Sequence, residues 1–186
     1  MGWPLRWMQL AAIPTLVVAL SGCLSVAENS YYTLDMRDSE TVSTGFHVEV
    51  GRFVTSDALA RPELLIQASP TRIEYYAIDQ WASDLGEMVQ EKLQVEFGEA
   101  ESPTYRIEGD ILAFEQVDLD GGADAHVRLR VRGYDATQRR SSEPLLRRTY
   151  DEVVPASEAT PEAVVSALSD GLERIAVQIA NDLSTL

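Results

Sequence analysis

The last two dozen residues constrain the fold more than any other segment. Val164, Val165, Leu168, Leu172, Ile175, Ile179 and Leu183 recur at three- and four-residue spacing and draw one apolar stripe along a predicted helix. Thr160 stands where an N-cap belongs, Pro161 fits the first helical position, and Glu162 favours the positive end of the helix dipole. The stripe has the width of a helix laid on a sheet rather than a narrow coiled-coil seam. The remaining residues must therefore supply the sheet.

They do so in short apolar runs. Tyr31-Tyr32-Thr33-Leu34 is rich in strand formers, and Phe46 to Phe53 sets Phe46, Val48 and Val50 against His47, Glu49 and Gly51. Leu64–Ala68 and Arg72–Tyr76 are further strands, joined by the turn composition Ser69-Pro70-Thr71. Asp79 is the expected N-cap of a first helix running to about Phe97, with Trp81, Leu85, Met88, Val89 and Leu93 on its apolar side and Gly98 as the stop. A meander follows. Tyr105, Ile107, Ile111 and Ala113 alternate with Arg106, Glu108, Asp110 and Phe114, residues 118–124 form a hairpin loop, and 125–135 return with Val127, Leu129 and Val131 on one face. Pro144–Glu152 is the last strand. The reading is an α+β fold: a mainly antiparallel or mixed sheet with two amphipathic helices on one face.

The start of the chain belongs to no such pattern. One positive charge, Arg6, precedes thirteen residues from Met8 to Leu20 interrupted only by Gln9, Pro14 and Thr15, and small residues then lead to Cys23. Thirteen residues are too few to span a bilayer, and the layout is that of an export signal. The ending Leu20-Ser21-Gly22-Cys23 resembles the bacterial lipobox. That resemblance implies a diacylglycerol on the Cys23 thiol, cleavage before it, and acylation of the new amino group. Two or three long acyl chains hold a protein with on the order of 20–30 kcal/mol. Leu24, in place of an aspartate, implies the outer membrane by the Gram-negative sorting rule. The expected organisation is a signal peptide at 1–22, an acylated tether at 23–30 and a single periplasmic domain at 31–186.

Removing residues 1–22 leaves 164 residues with a formal charge of −16. Cys23 is the only cysteine, so once acylated it leaves no disulfide and the domain must hold by packing. The charge argues against nucleic acid, whose phosphates need a basic surface, and pushes the body away from an anionic membrane face.

Catalytic and metal signatures are weak. No Gly-x-Ser-x-Gly elbow exists, and the two histidines, His47 and His126, fall on the polar side of predicted strands. Asp118, Asp120 and Asp124 lack EF-hand spacing, and no Cys/His set suits zinc. The reading is therefore no enzyme, no cofactor and no metal. Trp81 and Tyr75-Tyr76, near the start of the first helix, read as core packing.

The cations are unevenly placed. Seven of the fourteen basic residues after the signal lie between 128 and 148: Arg128, Arg130, Arg132, Arg139, Arg140, Arg147 and Arg148. Arg128, Arg130 and Arg132 alternate, so they project from one face of one strand. Two arrangements fit. They pair across strands with Glu108, Asp110, Glu115 and Asp151, or they form a docking surface for a partner or lipid headgroup, which guanidinium forks suit.

Taken in order, several of these motifs resemble one family. The lipobox-like ending is followed by Tyr31-Tyr32-Thr33-Leu34, then Arg61-Pro62, then Arg72-Ile73-Glu74-Tyr75 leading into Trp81-Ala82 and Leu85. Phe114-Glu115 closes a later strand, and Leu168-Ser169 and Ile175-Ala176 lie on the last helix. This order is similar to that of the ABC-type transport auxiliary lipoproteins, the group containing the lipoprotein of the paraquat-inducible operon. Gly133-Tyr134 departs from the pattern, which expects an aromatic nearer the strand centre. The resemblance implies a non-catalytic partner of a mammalian-cell-entry (MCE) substrate-binding protein and an inner-membrane permease, in a system moving lipid between membranes. Only Cys23 carries over as a site. A homo-oligomer is compatible with it. Two alternatives remain: a carrier domain holding lipid in a cavity under the last helix, and an assembly or pilot lipoprotein of another envelope complex.

Overall fold

The computed structural model describes residues 28–37, 42, 44–99, 101–118, 122–138 and 143–186. The expected signal peptide, Cys23, Asp120, Arg139 and Arg140 lie outside these residues. The elements are β1 (Ser30–Tyr32), β2 (Val48–Thr55), β3 (Glu63–Ser69), β4 (Arg72–Trp81), α1 (Leu85–Phe97), β5 (Tyr105–Val117), β6 (Asp124–Asp135), β7 (Leu146–Pro155) and α2 (Pro161–Leu183). The fold is α+β.

Helix α2 forms as its sequence dictates. The Thr160 hydroxyl accepts from Ala163 N–H at 3.3 Å, and every residue of the stripe is buried. Opposite it lie Val127, Leu129 and Val131 of β6 with Tyr150 and Val154 of β7, also buried. Gly171 lets the helix approach closely, since a Cβ there would stand 3.0 Å from Val127 Cγ2. Filling this layer removes seven large aliphatic side chains from water, each worth about 1.5–3 kcal/mol.

The seven strands form one mixed sheet in the order β1-β4-β3-β5-β6-β7, with β2 also on β5. Strand β5 is the trunk. Its length pairs antiparallel with β6, while its other edge holds β2 in parallel along Tyr105–Ile111 and β3 in parallel at Gln116–Val117. Strands β3 and β4 make an antiparallel hairpin, and β1 adds in parallel to the end of β4. Both helices lie on the same face and touch each other.

Bulges in β2 and β5 reset the alternation of these two strands. In β2 the register shifts between Val50 and Phe53, so both side chains are buried although they stand an odd number of positions, three, apart. In β5 the shift falls between Ile111 and Ala113. It leaves Leu112 outward and turns Phe114 into the core, against the strict alternation expected from the sequence, with its ring 5.7 Å from that of Trp81.

The first helix also begins later than the sequence suggests. Trp81 ends β4, where its N–H donates to Pro62 O at 2.7 Å, and the N-cap is Asp84, whose Oδ1 accepts from Glu87 N–H at 3.0 Å. Asp79 is instead a strand residue and accepts from the Tyr32 hydroxyl. The Ile73–Ile78 run of β-branched and aromatic residues outweighs the accidental four-residue spacing of Trp81 and Leu85. The last strand is likewise displaced, running to Pro155 rather than Glu152.

Helix α1 does two things beyond covering the core. It seals the outer edge of β2: Gln94 accepts from Val50 N–H at 2.9 Å and donates to Val48 O, and Gln90 donates to Val50 O at 3.2 Å. It also carries Lys92, the only lysine of the chain, which is fully buried. The Lys92 ammonium donates to Arg37 O at 2.7 Å, to Glu96, and to Glu173 of α2 at 2.8 Å. Burial opposes its charge, but the bonds to Glu173 and Glu96 outweigh that and hold its pKa above the ordinary lysine value. One cation thus joins α1, α2 and the segment after β1.

Candidate functional site

The helices leave the other face of the β5–β6–β7 meander open. Because Val127, Leu129 and Val131 point at α2, their neighbours Arg128, Arg130 and Arg132 must point the opposite way. Antiparallel register then fixes who faces whom. Glu108 lies across from Arg132, Asp110 from Arg130, Thr149 from Arg130, Arg147 from Arg132, and Asp151 from Arg128.

Much of this face is neutralised internally, as the cross-strand reading anticipates. Arg132 Nη1 donates to Asp110 Oδ2 at 2.8 Å, with Glu108 at 3.7 Å from its Nε. Burial works against the Arg132 charge, yet the Asp110 bond raises its pKa above the ordinary value. Glu108 also accepts from the Tyr134 hydroxyl at 3.2 Å, and the Arg106 guanidinium lies 5.0 Å from the Tyr134 ring centre. Arg128 Nε stands 3.3 Å from Asp151 Oδ2.

His126 completes this row. Its Nε2 lies 2.8 Å from Asp151 Oδ1 and its Nδ1 3.5 Å from Glu115. Glu115 therefore serves the histidine and not an arginine. The Glu115 bond raises the imidazole pKa, burial opposes it, and Asp151 adds to the rise. His47, by contrast, is exposed just before β2.

Arg130 and Arg147 are different. Among the described residues no carboxylate lies within 4.0 Å of either. With Arg148 and Thr149 they line an open hollow of about 360 Å³. Arg148 itself turns to the helix side and donates to both Asp182 carboxylate oxygens at 2.7 and 2.9 Å, beside the Tyr150 hydroxyl, which donates to the same carboxylate at 2.6 Å. Burial, then Asp182, raises the Tyr150 pKa far above the ordinary phenol range. Sequence reasoning grouped Arg147 with Arg148 by position; the pleat separates them.

A larger cleft of about 590 Å³ sits where α1 begins, between Glu49, Arg52, Asp84, Glu87, Arg106 and Glu108. It holds no nucleophile with an adjacent base. Among the described residues no three His, Cys, Asp or Glu side chains are placed to hold a metal ion, and no helix is long and apolar enough to cross a membrane. Trp81 is core, and Tyr75 and Tyr76 are part-buried, bonding Ala58 O at 3.1 Å and Gln116 respectively.

Comparison with known proteins places the fold. A family model described as "ABC-type transport auxiliary lipoprotein component" matches residues 32–180. The solved structure of XCC0632 from Xanthomonas campestris, of the DUF330 family, is similar with a TM-score of 0.66 and 16% identity, covering 84% of this chain and 99% of that one. A second solved structure, of an uncharacterized protein, has a TM-score of 0.62 and 15% identity over 84% of this chain and 99% of its own. At such identities the likeness is one of fold. No curated protein matches the chain.

Proposed function

This chain belongs to the ABC-type transport auxiliary lipoprotein component family, and on that premise we propose that it is a non-catalytic, outer-membrane-anchored periplasmic subunit of an MCE-type intermembrane lipid transport system. The observation that carries the proposal is the family match over residues 32–180. The anchor is the acylated Cys23, supported by the Leu20-Ser21-Gly22-Cys23 ending, and Leu24 supports the outer membrane as destination. The domain at 31–186 stands off the bilayer on its tether and grips the MCE-domain protein, which works with the permease.

Docking is favoured over carriage by the state of the last helix. Its whole apolar stripe is spent on the sheet, and none of the described clefts is lined by it. The open meander face with Arg128, Arg130 and Arg132 is the proposed docking surface. Arg128 and Arg132 share their charge with Asp151 and Asp110, while Arg130 stands as a positive point on an acidic body, which favours an acidic counterpart.

The test is affinity capture from a detergent extract with the full chain as bait. The expected result is co-purification of an MCE-domain protein and a permease, lost on charge reversal of Arg128 and Arg130. Recovery of neither protein overturns the transport reading; capture unchanged by the reversals overturns the docking face. Cys23→Ala is expected to leave an unprocessed or soluble protein, read by membrane fractionation and intact mass.

A further inference from the structure

Arg132 and Arg147 are directly opposite each other on neighbouring strands. Like charges so placed are destabilising, and a chain with thirty acidic residues had ready alternatives. Asp110, although it also lies across from Arg130, bonds Arg132, and among the described residues no carboxylate lies within 4.0 Å of Arg147 or Arg130. The Thr149 hydroxyl, across from Arg130, has no hydrogen bond among the described residues. Two guanidinium forks and one hydroxyl on adjacent strands thus border a single hollow, and among the described residues none of the three has a bonded acceptor.

From this arrangement we propose that the Arg130–Arg147–Thr149 hollow binds a phosphate group. Three donors from separate side chains need acceptor oxygens that are not coplanar. A tetrahedral phosphate offers these, whereas one carboxylate offers two in a plane. Guanidinium forks bind phosphate bidentately, and the charge-assisted bonds are about twice as strong as neutral ones. The bound anion sits between Arg130 and Arg147 and offsets the like charge that Arg147 meets in Arg132 across the strand. The phosphate is either free or the headgroup of a phospholipid. The site stands whether or not the protein serves a transporter.

The test is thermal melting of the full chain in a phosphate-free nonionic detergent, at constant ionic strength. Sodium phosphate is compared with sodium chloride, and dihexanoyl phosphatidylglycerol with dihexanoyl glycerol. At ten times its dissociation constant the phosphate ligand is expected to raise Tm by about 3–6 °C. Response to inorganic phosphate alone identifies free phosphate as the source, and a stronger response to the phospholipid identifies the headgroup. Arg147→Gln is expected to melt about 1–3 °C higher than the parent without ligand, because Arg132 loses its like-charged neighbour, and to lose the phosphate shift. Arg130→Gln loses the shift as well. Arg61→Gln, which removes a surface guanidinium outside the hollow, keeps the shift. Equal melting in phosphate and chloride, or an Arg147→Gln variant that still responds, overturns the proposal. So does an Arg147 dependence seen only in capture of a protein partner, which assigns the hollow to an acidic segment of that partner instead.

Discussion

Replacing Lys92 by methionine tests the buried cation that joins the two helices. Methionine is close in length, so the cavity left is small and the effect is electrostatic. The substitution deletes three charge-assisted bonds, to Arg37 O, Glu96 and Glu173. It also removes the positive charge facing Glu96, which is only 2% exposed. Glu173 can turn to water, since a quarter of its side chain is already exposed. Removing one partner of a buried pair such as Lys92–Glu96 costs about 3–5 kcal/mol. In a domain of this size that corresponds to a fall in Tm of roughly 6–20 °C. Urea unfolding at pH 7 is the assay, with a lower midpoint and an unchanged slope as the expected result. Pairing Lys92→Met with Glu96→Leu is expected to recover stability to within about 1 kcal/mol of the parent, because apolar packing replaces buried ion pairs at little cost. Lys92 also holds the backbone at Arg37, so amide exchange in residues 33–37 should accelerate in the single variant. A single variant within about 0.5 kcal/mol of the parent, or a double variant no better than the single, refutes the reasoning.

Two further expectations concern the meander. His126 binds its proton more tightly folded than unfolded, so its contribution is complete below the ordinary imidazole value of 6.5 and fades as pH rises through its higher folded value. His126→Gln should remove that fading, worth up to about 1 kcal/mol for a partly exposed pair, and urea midpoints of both proteins from pH 5.5 to 8.5 check it; parallel curves contradict the assignment. Gly109→Ala places a Cβ 2.3 Å from Arg130 O and 2.9 Å from the Phe53 ring, which forces β5 and β6 apart. A loss of about 2–3 kcal/mol is expected, whereas Gly122→Ala, with open space around it, should leave Tm unchanged.

What could be read from the sequence depended on how local each signal was. Helix α2 was fully legible, from Thr160 to Leu183, because cap, dipole and stripe all occur within one segment. The meander was legible in outline but not at Phe114, since a bulge one residue wide is invisible in an alternation count. Parallel pairing of β2 with β5 depends on residues more than fifty positions apart, and nothing in either strand announces it. At the candidate site, the alternation of Arg128, Arg130 and Arg132 showed that they share a face, and the acids Glu108, Asp110 and Asp151 did find Arg128 and Arg132 but not Arg130. That Arg147 confronts Arg132 required the register. Lys92 was passed over for a physical reason: a charged residue on an amphipathic helix normally marks the wet side. Its only local clue is Glu96 four residues on, a spacing just as common on exposed helices.

The glutamine seal on β2 bears on how the purified protein ages. A rim closed by another strand stays closed until the sheet itself melts, but this one is closed by two side chains of a neighbouring helix. Whenever α1 loosens, Val48 and Val50 present bare peptide groups beside greasy side chains, an adhesive strip ready to recruit a second molecule. Storage lifetime is then governed by the brief opening of one thirteen-residue helix, well before the domain as a whole gives way.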